Sequence, residues 1–356
     1  MKIAILGAGS NAYGLAAFTA DAGHEPVLWS PSGSRGRGLA EGQMLEATGA
    51  LEFEGPVGVA DTAAEAVSGA GLVMIAMPVN GHRMAIDALV PALDPGTPVI
   101  ISSHSSFAAL YLSRALKKAE KATTIIAWGT TLLTARQKSD TTVTVNTIRQ
   151  KVDMATVPYS AMEAGHALCT DLFGDRFVPR DGLIAVALSN LNPQNHLGIA
   201  LMNLTRMEKG ESWGQGEHVT PAVGNFIEAL DAERLAVVDA FGLKTKTVRE
   251  HFSTSFHVPL ASVSEMNQQM HAEGRGGSGP SSFDSRYIFE DVPFGLVATS
   301  ALARMVGVPV PLHDAGIAIF SAACGRDLAA DNDLLPALDF TAMDRTTLET
   351  LCREGY

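Results

Sequence analysis

The stretch IAILGAGSNAYG, residues 3–14, decides the fold of the first half of the chain. Its apolar, β-branched-rich start predicts a buried strand, and the strand stops at a turn rich in glycine. The segment after the turn predicts a helix. A Gly-x-Gly-x-x-Ala turn that follows a strand and opens a helix is typical of a dinucleotide-binding βαβ unit.

Each position of this turn has a physical reason in that interpretation. Gly7 permits the tight turn, Gly9 lets the backbone approach a pyrophosphate, and Ala12 keeps the helix close to the strand. The helix N-terminus, with Ser10 and Asn11, offers unpaired N–H groups and a positive dipole to the phosphates. The alternative is a glycine-rich turn that binds no ligand.

Strand-like and helix-like segments alternate through the first 150 residues. Runs such as VMIAM lack a two-residue period, as expected for strands that are buried on both faces. The alternation predicts right-handed βαβ units around a parallel sheet. We therefore expect an α/β Rossmann-type dinucleotide-binding domain over residues 1–180 and a second, all-α domain over residues 181–356.

The end of the second strand bears on the choice of cofactor. An acidic residue there would accept a hydrogen bond from the ribose 2′-OH and favour NAD. The sequence instead continues from Ser30 through a Gly/Ser-rich segment to Arg35 and Arg37. Hydroxyl donors and a guanidinium suit a 2′-phosphate, so NADP is favoured over NAD. Alternatively, the two arginines belong to a solvated loop.

Two later strands should also end at the ligand cleft, because ligands bind outside the carboxyl ends of the strands. Pro78 follows one of them and is predicted to contact the cofactor. His82 and His104 lie in the same two loops. We predict a substrate contact for His104, with a solvated or structural histidine as the alternative reading for both.

The second half reads as mostly helical. A long apolar helix from residue 182 onwards carries Asn192 and His196 four residues apart, hence on one face, and Pro193 should kink it. A glycine-rich segment, residues 274–280, could flex. Asp291 follows it near the start of another helix and is a candidate for either chemistry or ion-paired scaffolding.

Bulk properties exclude several classes of function. The 356 residues carry a formal net charge of −12, which disfavours nucleic acid and anionic membranes as partners. Three scattered cysteines without a CxxC pair, Cys169, Cys324 and Cys352, favour a reducing compartment. Without a signal-like start or a long apolar run, we expect a cytoplasmic protein. No metal motif is visible, so no metal is predicted.

A family resemblance emerges from the glycine turn combined with three segments of the second half. These are LSNLNPQNHLG (188–198), VTPAVGNFIEALDAERLAVVDAFGL (219–243) and SRYIFEDVPFGLVATSALARMVGVPVP (285–311). Over nearly its whole length the chain resembles the octopine/nopaline (opine) dehydrogenase family, and most of all the bacterial N-(1-D-carboxyethyl)-L-norvaline dehydrogenase type. Such enzymes reductively join the amino group of an L-amino acid to a 2-oxo acid, commonly pyruvate.

The resemblance implies roles for individual residues. The family's catalytic histidine falls on His196 and its aspartate partner on Asp291. The arginine that reaches the cofactor pyrophosphate falls on Arg286, for which an ion pair with Glu290 is the alternative. Asn192 lies in the stretch that lines the substrate pocket. The resemblance further implies a homodimer that forms through the helical domain and binds only small-molecule substrates.

Three alternatives to this function stay open. A 2-oxo acid reductase of the ketopantoate or glycerol-3-phosphate dehydrogenase type would need a catalytic lysine in the second half, where only Lys209, Lys244 and Lys246 follow residue 200. The second is an enzyme that reduces a cyclic imine or the imine formed from a simple amine. A non-catalytic NADP-binding sensor is the third. The closest family type uses NAD with an acidic ribose reader, so Ser30 departs from its pattern and supports NADP.

Overall fold

The computed structural model describes residues 1–33 and 35–356, which form two compact units. The first unit contains Met1–Ala187 together with Thr346–Tyr356, and the second contains Leu188–Arg345. The expected division at residue 180 therefore differs from the structure in two respects. The units divide later, within a helix, and the last residues return to the first unit.

Twelve strands occur among the described residues of the first unit. They are β1 (Lys2–Leu6), β2 (Glu25–Trp29), β3 (Leu45–Gly49), β4 (Phe53–Gly55), β5 (Gly58–Val59), β6 (Leu72–Ile75), β7 (Val99–Ile101), β8 (Ile125–Trp128), β9 (Leu133–Gln137), β10 (Thr142–Ile148), β11 (Val152–Val157) and β12 (Phe177–Pro179).

Eight of these strands form the main sheet, in the order β12-β11-β8-β7-β6-β1-β2-β5. β1 pairs in parallel with both β2 and β6. The sheet is parallel except at β11, which runs antiparallel to β8. The central strands β1, β6, β7 and β8 are almost completely buried, as their unbroken apolar runs predict.

A second sheet of four strands, in the order β4-β3-β10-β9, was not predicted from the sequence. β3 and β10 pair in parallel, whereas β9 and β4 pair antiparallel to their neighbours. Polar residues and glycine interrupt these short strands, so they lack the continuous apolar run that identifies the main sheet.

Seven α-helices occur among the described residues of this unit before the chain enters the second unit. They are α1 (Ser10–Asp21), α2 (Arg37–Ala40), α3 (Ala63–Val67), α4 (His82–Ala92), α5 (Ala108–Lys118), α6 (Met162–Phe173) and α7 (Gly182–Ser189), the last of which crosses the division between the units. α1 packs closely on β9 at Gly14, where a Cβ would lie 2.6 Å from Cδ1 of Leu133. The second sheet is thereby attached to the first helix of the nucleotide-binding unit.

Nine helices and no strand occur among the described residues of the second unit. They are α8 (Asn192–Met202), α9 (Leu204–Glu208), α10 (Pro221–Ala240), α11 (Val248–Phe256), α12 (Val263–Ala272), α13 (Arg286–Phe289), α14 (Val297–Val306), α15 (Pro311–Cys324) and α16 (Leu334–Ala337). The predicted fold class, a Rossmann-type domain followed by an all-α domain, is confirmed.

The twenty-residue helix α10 contributes much of the core of the second unit, including the buried Ile227 and Leu230. It also carries a buried ion pair. Nη2 of Arg234 donates to Oδ1 of Asp231 over 2.6 Å, and the same guanidinium bonds the carbonyls of Leu188 and Lys246. The other Asp231 oxygen accepts from the backbone N–H of Val248. A charge pair buried in this way is fully hydrogen-bonded, as its desolvation requires.

The last helix, α17 (Arg345–Glu354), returns the chain to the first unit. Its Leu348 and Cys352 are buried, and Arg353 pairs with Asp181. The backbone N–H of Tyr356 donates to Oγ of Ser113 over 2.9 Å. These contacts explain why the expected assignment of the C-terminus to the helical domain does not match the structure.

Candidate active site

The glycine turn after β1 has the geometry that the sequence predicts. Gly7 has a φ of +143°, and a Cβ there would lie 2.2 Å from the carbonyl oxygen of Ala76, so only glycine fits. Gly9 is the N-cap of α1, and no side chain caps the helix. A Cβ at Gly9 would lie 3.3 Å from Nη1 of Arg35, so this guanidinium lies directly over the turn.

The side chains of Ser10 and Asn11 have a further role in the structure. Oγ of Ser10 accepts from the backbone N–H of Gln137 over 2.9 Å, and Oδ1 of Asn11 accepts from that of Ala135 over 3.2 Å. Both side chains thus hold β9 against the start of α1. Their backbone N–H groups remain the ones that a phosphate would use.

These features fit a dinucleotide. An uncapped helix N-terminus, a glycine surface and a nearby guanidinium together suit a pyrophosphate or a 2′-phosphate. Ser30 directly follows β2, and its Oγ lies 3.3 Å from Oγ of Ser32. Ser34, in the same segment, lies outside the described residues. The predicted cofactor residue Pro78 is exposed at the end of β6.

The two histidines of the neighbouring loops are completely buried. Nε2 of His82 lies 3.0 Å from the carbonyl oxygen of Met77, whereas neither ring nitrogen of His104 has a hydrogen-bond partner among the described residues. Burial lowers the pKa of His82 to about 4 and that of His104 to about 3. The loop that carries His104 contains three non-glycine residues with positive φ, namely Ser103, Ser106 and Phe107.

This placement bears on the predicted substrate contact of His104. Its ring packs edge-on against Phe107 within the first unit and has no exposed surface. A direct contact with substrate would require the loop to rearrange. The substrate contact of His104 stays a prediction. The observed burial agrees better with the alternative, a structural histidine.

The second unit brings together the two residues on which the predicted chemistry depends. Nδ1 of His196, on α8, donates to Oδ2 of Asp291 over 2.7 Å, although 95 positions separate them in the chain. His196 is 9% exposed and Asp291 6%. Nε2 of His196 has no hydrogen-bond partner among the described residues, so it is left for another group. A carboxylate at Nδ1 orients the imidazole and keeps a hydrogen on that nitrogen.

Tyr287 holds the face of the same imidazole. The two rings stack with centroids 3.6 Å apart and planes 9° from parallel. The Tyr287 hydroxyl donates to Oε1 of Gln215 over 2.7 Å. Burial raises the pKa of Tyr287 to about 12, so the phenol stays protonated and continues to donate. The imidazole is therefore fixed at one edge and on one face.

A π-helical turn, Val292–Leu296, follows Asp291. Gly295 lies in it, and a Cβ there would be 2.3 Å from Cγ of Pro193 on α8. The backbone of the turn thus packs directly against the helix that carries His196. Nδ2 of Asn332 donates to the carbonyl oxygen of Pro293 over 2.8 Å. π-Helical turns often occur at functional sites, and this one holds the carboxylate beside the imidazole.

The predicted kink at Pro193 in one long helix is wrong, because two separate helices are present. Residues 190 and 191 are not helical, and Pro193 lies in the first turn of a new helix, α8, where its missing N–H costs nothing. Oδ1 of Asn190 accepts from the backbone N–H of Asn192 over 3.1 Å. The break allows α8 to take a direction of its own.

A buried network holds the first turn of α8 from the side. Nε2 of Gln194 donates to Nε2 of His313 over 3.1 Å, and Nδ1 of His313 donates to Oε2 of Glu233 over 2.7 Å. Burial alone would raise the pKa of Glu233, but hydrogen bonds from His313 and the backbone of Leu312 lower it overall. His313 is thus held between Gln194 and Glu233, with one ring nitrogen directed at each.

Two more predicted residues lie in the second unit. Asn192 is half-buried, and its side chain has no hydrogen-bond partner among the described residues. Arg286 pairs with Glu290 at 3.6 Å. Partial burial opposes its charge, but the carboxylates of Glu290 and Asp291 hold the pKa of Arg286 above its usual value. The ion pair that the sequence offered as an alternative is present, and the contact with pyrophosphate stays a prediction.

Sequence reasoning assigned no role to Tyr287, Gln215 or Gly295. Tyr287 and Gly295 lie inside the segment that carries the resemblance, so an aromatic residue beside the charged cluster was the available signal. Gln215 lies in an irregular segment between α9 and α10, where no periodicity marks it. Only the folded chain brings these residues to the imidazole or to its helix.

The described residues contain neither a metal-binding cluster nor a membrane-spanning helix. No cluster of three or more His, Cys, Asp or Glu side chains that could hold a metal ion occurs in residues 1–33 and 35–356. No helix in that part of the chain has the length and apolar character needed to cross a membrane.

Comparisons with known proteins agree with this architecture. Residues 179–324 match the family model of the NAD/NADP octopine/nopaline dehydrogenase α-helical domain. Residues 2–123 match that of the NAD-dependent glycerol-3-phosphate dehydrogenase N-terminus. The chain is 30% identical to an opine dehydrogenase of Arthrobacter sp. (strain 1C) over 354 residues, which cover 96% of this chain and 95% of that protein.

Solved structures show the same fold at low identity. Octopine dehydrogenase in complex with NADH and agmatine superposes with a TM-score of 0.77 at 16% identity, covering 99% of this chain and 97% of that one. Yersinopine dehydrogenase with NADP⁺ bound gives a TM-score of 0.69 at 15% identity, covering 96% and 99%.

A Rossmann-type unit followed by a helical unit with a buried His–Asp pair defines a nicotinamide-dependent dehydrogenase of two domains. The chain belongs to the opine dehydrogenase family, as its sequence predicts. It is an oxidoreductase that acts on CH–NH bonds, and the reaction of this family is the NAD(P)H-dependent reductive condensation of an amino acid or amine with a 2-oxo acid.

Proposed function

We propose that this enzyme condenses an L-amino acid with a small 2-oxo acid, such as pyruvate, and reduces the C=N bond with NADPH. His196 is the proton donor and Asp291 its charged partner. The observation that carries the proposal is the buried 2.7 Å hydrogen bond between them, together with the unpartnered Nε2 of His196.

Protonated His196 serves this chemistry in two ways. Its Nε2–H can donate to the carbonyl oxygen of the oxo acid, which promotes loss of water when the amine adds. The same proton favours the iminium over the neutral imine, and the iminium is the better hydride acceptor. A nicotinamide cofactor supplies that hydride when it is bound. General acid catalysis of this kind contributes roughly 10²–10⁴ in rate.

The charges around His196 support an anionic substrate. Arg286 pairs with Glu290 and His196 with Asp291, so a proton on His196 balances the charges of this cluster. A neutral imidazole would leave an excess of negative charge, which repels the carboxylate of an oxo acid or amino acid. We therefore expect protonated His196 to assist binding as well as reaction.

NADPH is the proposed cofactor because no carboxylate follows β2. Ser30 and Arg35 occupy the region instead, and Arg35 lies over the glycine turn. Arg35→Ala should weaken NADPH binding about tenfold or more and NADH binding much less, since only NADPH carries the 2′-phosphate. Titration of both nucleotides by fluorescence tests this. Equal losses for the two would contradict the assignment of Arg35 to the 2′-phosphate.

A homodimer that forms through the helical unit and a cytoplasmic location complete the proposal. α15 exposes Ala318, Ile319 and Ala322, and Ile319 is 47% exposed. Such an apolar surface suits association of two copies. Sedimentation of the purified enzyme tests the dimer, and a monomer at micromolar concentration contradicts it. All three cysteines are free thiols, which suits a reducing compartment.

A turnover panel tests the central proposal. NADPH or NADH is combined with pyruvate and each of several L-amino acids, and the same reactions are run without amine and without oxo acid. We expect consumption of NADPH or NADH that requires both substrates. We also expect formation of a secondary-amine dicarboxylate. Consumption with oxo acid alone indicates an alcohol-forming reductase. No consumption in any mixture contradicts the proposal and leaves a nucleotide sensor.

A further inference from the structure

Gln215 is joined to the catalytic imidazole through one side chain. Tyr287 stacks on His196, and its hydroxyl donates to Oε1 of Gln215 over 2.7 Å. All three residues belong to the second unit. The amide of Gln215 is therefore one hydrogen bond removed from the ring that stacks on His196.

The backbone around Gln215 is held in place. Its N–H donates to the carbonyl oxygen of Gly277 over 3.1 Å, and that of Gly216 donates to Gly276 over 3.0 Å. Nε2 of Gln268 donates to the carbonyl oxygens of Gly216 and Glu217. The glycine-rich segment 274–280, which the sequence predicted to be flexible, is thus partly fixed by these bonds. A residue on so constrained a turn can hold a substrate in one position.

The amide of Gln215 has donor capacity to spare. Its Oε1 accepts from the Tyr287 hydroxyl, which orients the amide. Its Nε2 has no hydrogen-bond partner among residues 1–33 and 35–356, and the side chain is only half-buried. The side-chain amide nitrogen can donate two hydrogen bonds and accepts no hydrogen bond, so this atom suits an anionic oxygen. A neutral donor also adds no charge to the balanced cluster around Arg286 and Asp291.

We propose that Nε2 of Gln215 donates to the α-carboxylate of the amine substrate. This inference rests on the proposed function and deepens it, because it names the side chain that recognises the carboxylate of the amino acid. Tyr287 is the positioning residue that orients the amide. Gln215 is the specificity-determining residue, since an amine without a carboxylate leaves its N–H groups unused.

The test compares amino acids with their decarboxylated counterparts. L-arginine is paired with agmatine and L-alanine with ethylamine, each with pyruvate and NADPH, and kcat/KM is measured for every pair. The wild-type enzyme should prefer the amino acid of the pair. Gln215→Glu keeps an acceptor for the Tyr287 hydroxyl, but it replaces the donor with a negative charge. It should lower kcat/KM for the amino acid about 10- to 100-fold, mainly through KM, and spare the amine.

Controls separate this role from a structural one. Gln215→Leu removes the donor without adding charge. It should lower the ratio of kcat/KM for the amino acid to kcat/KM for the amine, as Gln215→Glu does. Gln150→Glu, on an exposed residue of the first unit, should leave the ratio unchanged. The KM for pyruvate should stay near its wild-type value in all variants. Retained turnover of the amine shows that a Gln215 variant is folded.

The outcomes distinguish this inference from the proposed function. If the wild-type enzyme turns over these substrates but both Gln215 variants keep its amino acid/amine ratio, the inference is wrong and the proposed function stands. A variant that raises the KM for pyruvate alone assigns the amide to the oxo acid and likewise overturns the inference. No turnover by the wild-type enzyme with any pair overturns both.

Discussion

At the scale of the residue, His196 depends on neighbours that hold it on two sides. Oδ2 of Asp291 accepts a hydrogen bond from Nδ1–H and Tyr287 covers the face of the ring, so the ring can rotate very little. Such an arrangement keeps Nε2 pointing in one direction in both protonation states. Such preorganisation suits the proton transfer that we propose for His196.

Substitution of the pair should separate chemistry from nucleotide binding. His196→Ala should lower kcat/KM by about 10²–10⁴. Asp291→Asn should lower kcat/KM by a smaller factor, because it keeps a hydrogen bond but loses the charge. NADPH affinity, measured by fluorescence titration, should change less than threefold, since the glycine turn lies in the other unit. A parallel loss of nucleotide affinity would show that His196 is a structural residue.

The buried histidines of the first unit predict acid sensitivity. The unfolded chain takes up protons below the usual histidine pKa of 6.5, whereas burial keeps His82 and His104 neutral in the folded state down to about pH 4 and 3. The unfolded state then binds more protons, so the free energy of unfolding falls as the pH drops from 6.5. Each histidine contributes about 1.4 kcal/mol per pH unit.

His104→Gln should therefore flatten this dependence. Urea unfolding between pH 6.5 and 5 should show a slope that is smaller by about 1.4 kcal/mol per pH unit than in the wild-type protein. Phe107→Leu is the matched control, because it removes packing against the same ring and should lower stability equally at both pH values. An unchanged slope in the glutamine variant would mean that His104 is not kept neutral by the fold.

At the scale of the element, the π-helical turn 292–296 connects Asp291 to α8. Gly295 allows the backbone of the turn to touch Pro193, so the carboxylate and the imidazole are held by helices in direct contact. Few other residues could occupy this position, because any Cβ would force the two helices apart.

Gly295→Ala tests this contact. Its methyl group would overlap Pro193, and the expected cost is about 1–3 kcal/mol of stability and at least a tenfold loss of kcat. Gly71→Ala, where a Cβ meets only the flexible Met1 side chain, should change stability by less than about 0.5 kcal/mol. Thermal unfolding and turnover are measured on both. Full activity in Gly295→Ala would show that the dyad tolerates movement of the turn.

Elements could be predicted from the sequence where their hydrophobic pattern was continuous. β1, β6, β7 and β8 follow from unbroken apolar runs, and α1 follows from the glycine turn. β3 and β9 could not be recognised, because they are short and polar and become strands only by pairing across long stretches of chain. The break before α8 was misjudged because a proline inside an apolar run fits a kink as well as a new helix.

The active site divides in the same way. The phosphate turn is a local motif, so it was read directly from residues 7–12. The His196–Asp291 pair joins residues 95 positions apart and could be predicted only through the family resemblance. Tyr287 stacks on His196 and bonds Gln215, and no local sequence pattern predicts either contact.

At the scale of the whole molecule, the chain leaves its first unit at α7 and returns to it with α17. The C-terminal helix therefore belongs to the nucleotide-binding unit in three dimensions, although it follows the helical unit in the sequence. The stability of the first unit should depend on residues that lie at the far end of the chain.

Removal of Thr346–Tyr356 tests this dependence. The truncated enzyme loses the buried Leu348 and Cys352 and should be destabilised by about 3–6 kcal/mol, from roughly 1.5–3 kcal/mol for each buried side chain. Hydrogen exchange should accelerate in the first unit and little in residues 188–345. Acceleration confined to the helical unit would contradict the division.

The bonds from Ser10 and Asn11 to β9 have a consequence for engineering and for evolutionary drift. The turn that we propose to bind phosphate shares two hydrogen bonds with the edge of the small sheet. We therefore expect insertions or prolines between residues 133 and 137 to displace this turn from outside the familiar glycine motif. Attempts to exchange cofactor preference by grafting the loop after β2 alone would overlook that edge. We expect a graft that carries both segments to change the preference more than the loop alone.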